Sequence, residues 1–336
     1  MTPANAPPEV SIILLTKNSR RYLREILEAI YAQEARRAFE VIAVDSGSQD
    51  GTLDLLAAFP VRVFRIPPQS FNHGETRNLG AQQAHPASRY LVYLTHDATP
   101  TPGWLDALLA AVDESPQVAG AFSRHLPRPT CPLPMARLLT EEWEQSGTPE
   151  RVVKKITDPD DYAQRRIHYV WFSNTSACLR KEVWQAFPFA RVDFAEDAEW
   201  ADRVLRAGYT LIYEPASQVI HSHDYGLWDQ FAQNVDHARG MTRLFELPAD
   251  PARSGLRWMA REFLRLFYAD ARYLAAQRMP VWRKAYWLSY SPLWHLASHL
   301  GGRVGRRYDK LPAWLIRRIS KQERLKAVGV READAR

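Results

Sequence analysis

An α/β fold with a mostly parallel, helix-covered sheet, followed by a basic helical region, is predicted by three features of this 336-residue chain. Short apolar, β-branched runs alternate with segments of helical periodicity. Three of those runs stop on a polar residue, Thr16, Asp45 or Asp97, at or just past a predicted strand end. Charge is also divided unevenly, with 25 Lys+Arg against 32 Asp+Glu in residues 1–251 and 19 against 6 in residues 252–336. At 46% hydrophobic residues the chain can bury one large domain and an appendage. Two cysteines, Cys131 and Cys178, cannot build a disulfide framework or a four-ligand zinc site alone. The opening MTPANAPPEV lacks the charged and apolar regions of a signal peptide, so a reducing cytosol is the expected compartment.

The elements follow in order. SIILLT (11–16) reads as a strand, and the next segment repeats Tyr22, Leu23, Ile26, Leu27 and Ile30 at helical spacing. FEVIAVD (39–45) runs into the turn SGSQDGT, where Ser48 or Asp50 can cap a short helix. VRVFRI (61–66) leads to a loop and a helix over 75–84, and RYLVYLT (89–95) leads to HDATPTPGW. Four strand–loop–helix repeats imply a sheet covered on both faces, with ligands in the crevice beyond the strands' carboxyl ends. Thr101 is a candidate N-cap and Pro102 a candidate first helical residue after the fourth strand. The stretch 124–164, rich in Pro and charge, reads as an insertion over the crevice.

Several motifs carry candidate chemistry, each with a plainer alternative. Asp97 can share a Mg²⁺ or Mn²⁺ ion with substrate phosphates, or simply cap the next helix. Arg77 and Asn78, in SFNHGETRNLGA, can hold a base or phosphate, or line a solvated helix face. In DFAEDAEWADRVLRAGY, Trp200, Ala201, Val204 and Leu205 make an inner stripe, Glu199/Arg203 and Asp202/Arg206 are outer i,i+4 pairs, and Gly208 ends the helix. Glu196 and Asp197 then fall in its first turn, where the helix dipole favours ionised carboxylates, and such a group can accept a proton from an attacking hydroxyl. His221 and His223, alternating along QVIHSH, can offer imidazole to a metal or serve a structural role. No GxGxxG follows the first strands and no HExxH is present, which disfavours a dinucleotide-dependent dehydrogenase and a zinc hydrolase.

The ordered series SIILLTKN, VDSGSQDGT, SFNHGETRNLGA, YLTHDATP, WFSNTSACLRKEVW, FAEDAEWADRVLRAGY and VIHSHDY resembles the family-2 glycosyltransferases of GT-A fold, rhamnosyltransferase-like members among them. The resemblance spans residues 10–225. It implies that Thr16, Asp45, Arg77, Asn78, His96 and Asp97 face the nucleotide sugar, that Asp97 with His221 and His223 holds Mg²⁺ or Mn²⁺, and that Asp197 is the base with Glu196 as second choice. Ser173, Asn174 and Trp200 are implied on the acceptor side, although the helical stripe gives Trp200 an anchoring role. His96-Asp97-Ala98 has one acid where the family usually has two, so either a metal site or a metal-independent one fits. The implied reaction is inverting transfer of a hexosyl group from dTDP-L-rhamnose to a glycan acceptor, lipid-linked on a polyprenyl diphosphate, for cell-surface polysaccharide. A UDP-hexose or UDP-N-acetylhexosamine donor is the alternative, and a non-catalytic membrane-peripheral scaffold is the alternative from another class.

The predicted organisation is a flexible 1–9, a catalytic domain over 10–250 (nucleotide-sugar half 10–123, acceptor and base half 165–250), amphipathic helices over 251–325 and a tail, 326–336. Arg253, Arg257, Arg261 and Arg265 form a cationic row, while Leu256, Met259, Ala260, Phe263, Leu266, Phe267 and Leu274 form an apolar face. Trp282, Trp287, Trp294 and Trp314 follow among Arg and Lys, with no uninterrupted apolar window of about 18 residues. Such helices suit an anionic membrane surface, here the inner face of the cell membrane. Packing on the catalytic domain or in a homodimer is the alternative. An acidic body with no recognised module argues against nucleic acid as a partner.

Overall fold

The computed structural model describes residues 6–142, 150–245 and 256–324. In chain order its elements are β1 (Val10–Thr16), α1 (Arg20–Tyr31), β2 (Phe39–Asp45), α2 (Thr52–Ala57), β3 (Val61–Arg65), α3 (His73–Gln82), β4 (Tyr90–Thr95), β5 (Thr99–Pro100), α4 (Trp104–Asp113), β6 (Val118–Leu126), α5 (Leu133–Arg137), β7 (Val152–Lys154), α6 (Pro159–Val170), β8 (Ser176–Arg180), α7 (Lys181–Ala186), α8 (Glu196–Arg206), β9 (Thr210–Ile220), α9 (Leu227–Phe245), α10 (Leu256–Ala276), α11 (Val281–Gly305) and α12 (Ala313–Ile319). They divide into two compact units, Met1–Arg128 with Leu139–Ser222, and Pro129–Leu138 with His223–Arg336.

The first unit holds a nine-stranded sheet in the order β3-β2-β1-β4-β8-β6-β9-β5, with β7 also paired to β9. β3, β2, β1 and β4 are parallel, and β8 runs antiparallel between β4 and β6. Apolar side chains on both faces of β1 and β4 are buried, as a sheet covered on two sides requires. Leu23, Ile26, Leu27 and Ile30 of α1 are fully buried in that core. Each such side chain contributes about 1.5–3 kcal/mol relative to exposure. Strand order reverses between β1 and β4, so the carboxyl ends of these neighbours flank a switch-point crevice.

Three local expectations are corrected. Thr101 does not cap α4, because its N–H and hydroxyl both donate to the Gln218 carbonyl, each at 3.1 Å, as the neighbouring Thr99–Pro100 pairs with β9. Gly103 takes the N-cap position at φ 79°, a left-handed conformation that favours glycine, and α4 begins at Trp104, past Pro102. The 124–164 stretch is not a simple insertion, since it supplies the end of β6, the edge strand β7 and the first half of α6. Asp202 is buried rather than outward, since Tyr162 and Arg166 of α6 bind its carboxylate beside Arg206.

The second unit begins earlier than the predicted 250/251 boundary. Its helix α9 packs on α11 at Gly301 and Gly305, where a Cβ would collide with the Phe231 and Val235 carbonyls. Only the missing side chain allows that approach. Arg257, Arg261 and Arg265 are exposed and Leu266 and Leu274 buried as the α10 pattern implies, but Ala260 faces solvent. Arg253 lies outside the described residues, as do 1–5, 143–149 and 325–336.

A polar knot sits at the centre of this unit. Arg137 of α5 pairs with Asp270, which also accepts from Ser291 at 2.5 Å and lies 2.8 Å from His295 Nε2, all four residues being buried. Burial pushes the Asp270 carboxyl up, but the bonds from His295, Ser291 and Arg137 outweigh it and hold the group below its usual range. Removing one partner of a buried ion pair typically costs about 3–5 kcal/mol. Arg137→Met is therefore expected to lower the unfolding midpoint in denaturant, and the double substitution with Asp270→Leu should recover part of the loss. An additive double variant would show that the pair is uncoupled.

Candidate active site

Thr16 ends β1 and Asp45 ends β2, paired across the sheet in register. Thr16 Oγ1 donates to Asp45 at 3.0 Å, the N–H groups of Gly47 and Ser48 donate at 3.0 and 2.9 Å, and the Ser48 hydroxyl at 2.5 Å. Gly47 is fixed by its position, with φ 89° and Pro68 Cγ 2.7 Å from where a Cβ would sit. Both Thr16 and Asp45 are enclosed, so in this conformation they shape the crevice wall. Direct contact with a nucleotide there requires displacement of covering groups such as Ser48.

His96 and Asp97 follow β4, both partly exposed at the crevice. Asp97 Oδ2 lies 3.5 Å from His221 Nε2, just past the end of β9, where the His221 N–H continues the ladder to the Leu126 carbonyl at 2.8 Å. The His125 ring packs edge-on against His221, with centroids 5.2 Å apart. One hard carboxylate and one imidazole at this separation can both reach a single divalent ion at about 2.0–2.1 Å each, so the donor set fits Mg²⁺ or Mn²⁺. His223 opens the second unit two residues further along the chain.

Sequence reasoning missed Arg128. Its guanidinium donates to the Asp97 carbonyl at 3.0 Å and to Thr99 Oγ1 at 2.8 Å, stacks 3.8 Å from the Tyr22 ring centroid and pairs with Glu25 at 3.3 Å. Arg128 thereby braces the turn that presents Asp97. It lies past the end of β6 in a segment without apolar periodicity, and nothing local marks it.

The second cluster forms around the start of α8. Ala195, the N-cap residue, adopts φ 58° and ψ 44°, a left-handed conformation that is unusual for a residue with a Cβ. Such strain persists where surrounding structure imposes it, and here it adjoins two carboxylates. Glu196 is buried and paired with Arg77 of α3, which is equally buried. Burial raises the Glu196 pKa, but Arg77 and then His73 outweigh it and hold the group below its ordinary range. Asp197 is pushed up to about 7, first by burial and then by the neighbouring Glu196 charge, with Arg77 opposing. It accepts from the Ala198 N–H at 2.9 Å and the Asn174 N–H at 3.3 Å, and stays partly exposed. Two adjacent carboxyls with divergent pKa values separate a fixed anion from a proton acceptor.

This geometry revises several sequence assignments. Glu196 is unsuited to be a base because its carboxylate is neutralised by Arg77, and Arg77 has that pairing in place of a free fork for the nucleotide. Asn78 is a fastener. Its amide donates to the Phe189 carbonyl at 2.8 Å and accepts from Trp184 Nε1 and the Phe189 N–H at 2.9 and 3.0 Å. Gly74 allows the same docking, since a Cβ there would lie 2.5 Å from the Ala190 carbonyl. Trp200 is fully buried against Phe172 and Phe189 with its Nε1 bonded to the Phe187 carbonyl at 2.8 Å, so it has no surface for an acceptor. Ser173 and Asn174 are nearly enclosed between α6 and β8, and the adjacent Thr175 carbonyl accepts from Thr95 at 3.0 Å, bringing this loop beside the end of β4.

A parallel half-sheet with a strand-end crevice, joined through an antiparallel strand to a second half carrying a carboxylate at a helix start, is the GT-A arrangement of glycosyltransferases. Among solved structures the chain resembles the mannosyltransferase PcManGT from Pyrobaculum calidifontis in complex with GDP-Man and Mn²⁺ (TM-score 0.55, 18% identity, 91% of this chain and 89% of that one). It also resembles S. aureus TarS 1–349 in complex with UDP-GlcNAc (TM-score 0.52, 16% identity, 90% and 92%). Residues 11–172 match the family profile of glycosyl transferase family 2. Curated relatives include the O-antigen chain rhamnosyltransferase RfbN of Salmonella typhimurium, 26% identical over 90% of this chain and 91% of that protein. WbaN of Salmonella anatum, also an O-antigen chain rhamnosyltransferase, is 27% identical over 84% of each. The chain is a glycosyltransferase whose residues 11–172 carry the family-2 profile.

Proposed function

We propose that the protein transfers L-rhamnose from dTDP-L-rhamnose, with inversion, to a hydroxyl of a growing cell-surface glycan carried on a polyprenyl diphosphate at the inner face of the cell membrane. The observation that carries the catalytic part is Asp197, a partly exposed carboxyl pushed up to about 7 beside the fixed Glu196–Arg77 pair. A base with a pKa near the working pH combines adequate ionisation with adequate proton affinity. In the reaction an acceptor hydroxyl loses its proton to Asp197 while its oxygen bonds to the anomeric carbon, and the nucleoside diphosphate departs from the opposite face. The choice of rhamnose is supported by the two relatives named as rhamnosyltransferases, which align over most of both chains.

Asp97 and His221 would hold Mg²⁺ or Mn²⁺, which when bound supplies positive charge for the leaving diphosphate. Arg128 keeps Asp97 presented. Ser173, Asn174 and the loop that carries them contribute the acceptor side of the crevice.

Calorimetric titration with dTDP and UDP, with and without Mn²⁺, followed by product analysis with dTDP-L-rhamnose, UDP-glucose and UDP-GlcNAc, tests this reading. Manganese-dependent dTDP binding that is lost in Asp97→Ala, together with rhamnosyl transfer, is the expected result. Transfer from a UDP-sugar alone would replace the donor with a UDP-hexose or UDP-N-acetylhexosamine and keep the site. Binding of neither nucleotide would leave the scaffold reading.

A further inference from the structure

The helix α11 is built inside out. Its buried positions include Ser291, His295, Gly301 and Gly305 alongside Trp294. Trp282, Tyr286, Leu293, Leu296 and Leu300 instead stand 71, 53, 51, 43 and 44% exposed. At 100° per residue these five fall within an arc of about 80°, and at 1.5 Å per residue they run for about 27 Å. Ser289, exposed on the same arc, is uncharged, so no charge interrupts the stripe. A helix on the surface of a water-soluble domain ordinarily presents the reverse pattern.

Charge sits at both ends of this stripe. Arg283 and Lys284 occupy the first turn of α11, Arg303 the last turn, and Arg306 and Arg307 follow directly. Helix α10 repeats the theme, with Leu264 and Tyr268 exposed at 65 and 71% between exposed Arg261 and Arg272. No helix among the described residues is long and apolar enough to cross a membrane. A long apolar face flanked by cations and too polar to span is the composition of a helix lying in the headgroup region of an anionic bilayer.

We infer that the outward face of α11 is a membrane-docking surface that inserts Trp282, Tyr286, Leu293, Leu296 and Leu300 among the lipids of an anionic phospholipid bilayer, while Arg283, Arg306 and Arg307 meet its headgroups. The basic excess of residues 252–336, 19 Lys+Arg against 6 Asp+Glu, selects an anionic surface over a neutral one. A second copy of the chain would bring like charge to both ends of the same stripe. This inference stands apart from the transfer reaction, because it is read from lipid binding and not from activity.

Co-sedimentation of the full chain with phosphatidylglycerol/phosphatidylcholine vesicles, and with phosphatidylcholine alone, tests it at low and high salt. The parent should pellet with the anionic vesicles. Trp282→Ser/Leu293→Ser/Leu300→Ser should lose about ten-fold or more in partitioning at either salt concentration. Arg283→Gln/Arg306→Gln/Arg307→Gln should lose the preference for phosphatidylglycerol and most of the salt dependence. Circular dichroism and nucleotide titration confirm that both variants fold, and the stripe's exposure makes folding the expected outcome. Vesicle binding unchanged in the serine variant would overturn the inference. So would a parent that ignores vesicles and sediments as a dimer which the serine substitutions dissociate.

Discussion

Asp197→Asn is expected to lower kcat for glycosyl transfer by about 10²–10⁴-fold, the usual span for loss of a general base, while the Kd for the nucleoside diphosphate stays within about two-fold. The asparagine keeps the shape of the side chain, and its one carbonyl oxygen can still accept from the Ala198 N–H, the shorter of the two bonds, which reach different carboxylate oxygens in the parent. It cannot take a proton from the acceptor. In the parent, kcat/KM should rise with pH through about 7 and level off as Asp197 ionises. Residual transfer in the variant should lose that limb. A variant that retains both the rate and the limb would exclude Asp197 as the base and return attention to other groups in the crevice.

The same carboxyl should leave a mark on stability. Its pKa is raised from an ordinary value of 3.8 to about 7 in the folded chain, so the folded state binds the extra proton between those values. Its contribution therefore becomes less favourable as pH rises from about 4 to about 7. Asp197→Asn removes this penalty and should melt above the parent at pH 8, with the gap closing toward pH 4. Activity lost together with stability gained is the signature of a strained functional carboxylate, which a purely structural aspartate would not produce.

Much of the first unit is legible in sequence because its elements carry local signals. The apolar runs of β1, β2 and β4 end at Thr16, Asp45 and Thr95, and the stripe of Leu23, Ile26, Leu27 and Ile30 sets the buried face of α1. The direction of β8 is not legible: SACLR is buried at all five positions, and a uniformly buried strand has no pattern that distinguishes parallel from antiparallel pairing. The placement of α9 escapes sequence reading for a related reason, since its contact with α11 depends on two glycines some seventy residues away in sequence. In the candidate site, the first-turn location of Glu196 and Asp197 follows from the helical period of Trp200, Val204 and Leu205. Their division of labour does not, because it depends on Arg77, 119 residues earlier. Arg128 shows the same limit, as its partners Tyr22, Glu25, Asp97 and Thr99 are all distant from it in sequence.

That long-range pair predicts the largest stability effect in the first unit. Arg77→Met leaves Glu196 buried beside Asp197 without its main counter-charge, and breaking such a pair costs about 3–5 kcal/mol. Glu196 is held below its ordinary range in the parent, so the pair's contribution is present above that range and is lost as pH falls through the lowered value. The cost of Arg77→Met should accordingly be full near neutral pH and shrink in acid, first as Glu196 of the variant, lacking its counter-charge, takes up a proton, and further once pH falls through the lowered value of the parent. Denaturant melts of Arg77→Met, Glu196→Gln and the double variant at pH 7 and pH 4 read this directly. Glu196→Gln in the Arg77→Met background should restore stability at pH 7, because a neutral amide no longer requires a counter-charge. It should also lower the Asp197 pKa relative to Arg77→Met, moving the rate limb to lower pH, since the adjacent carboxylate that raises it is gone. If the two substitutions are additive at pH 7 and the limb does not move, Glu196 and Arg77 do not set the charge of the base, and the electrostatic account of this site fails.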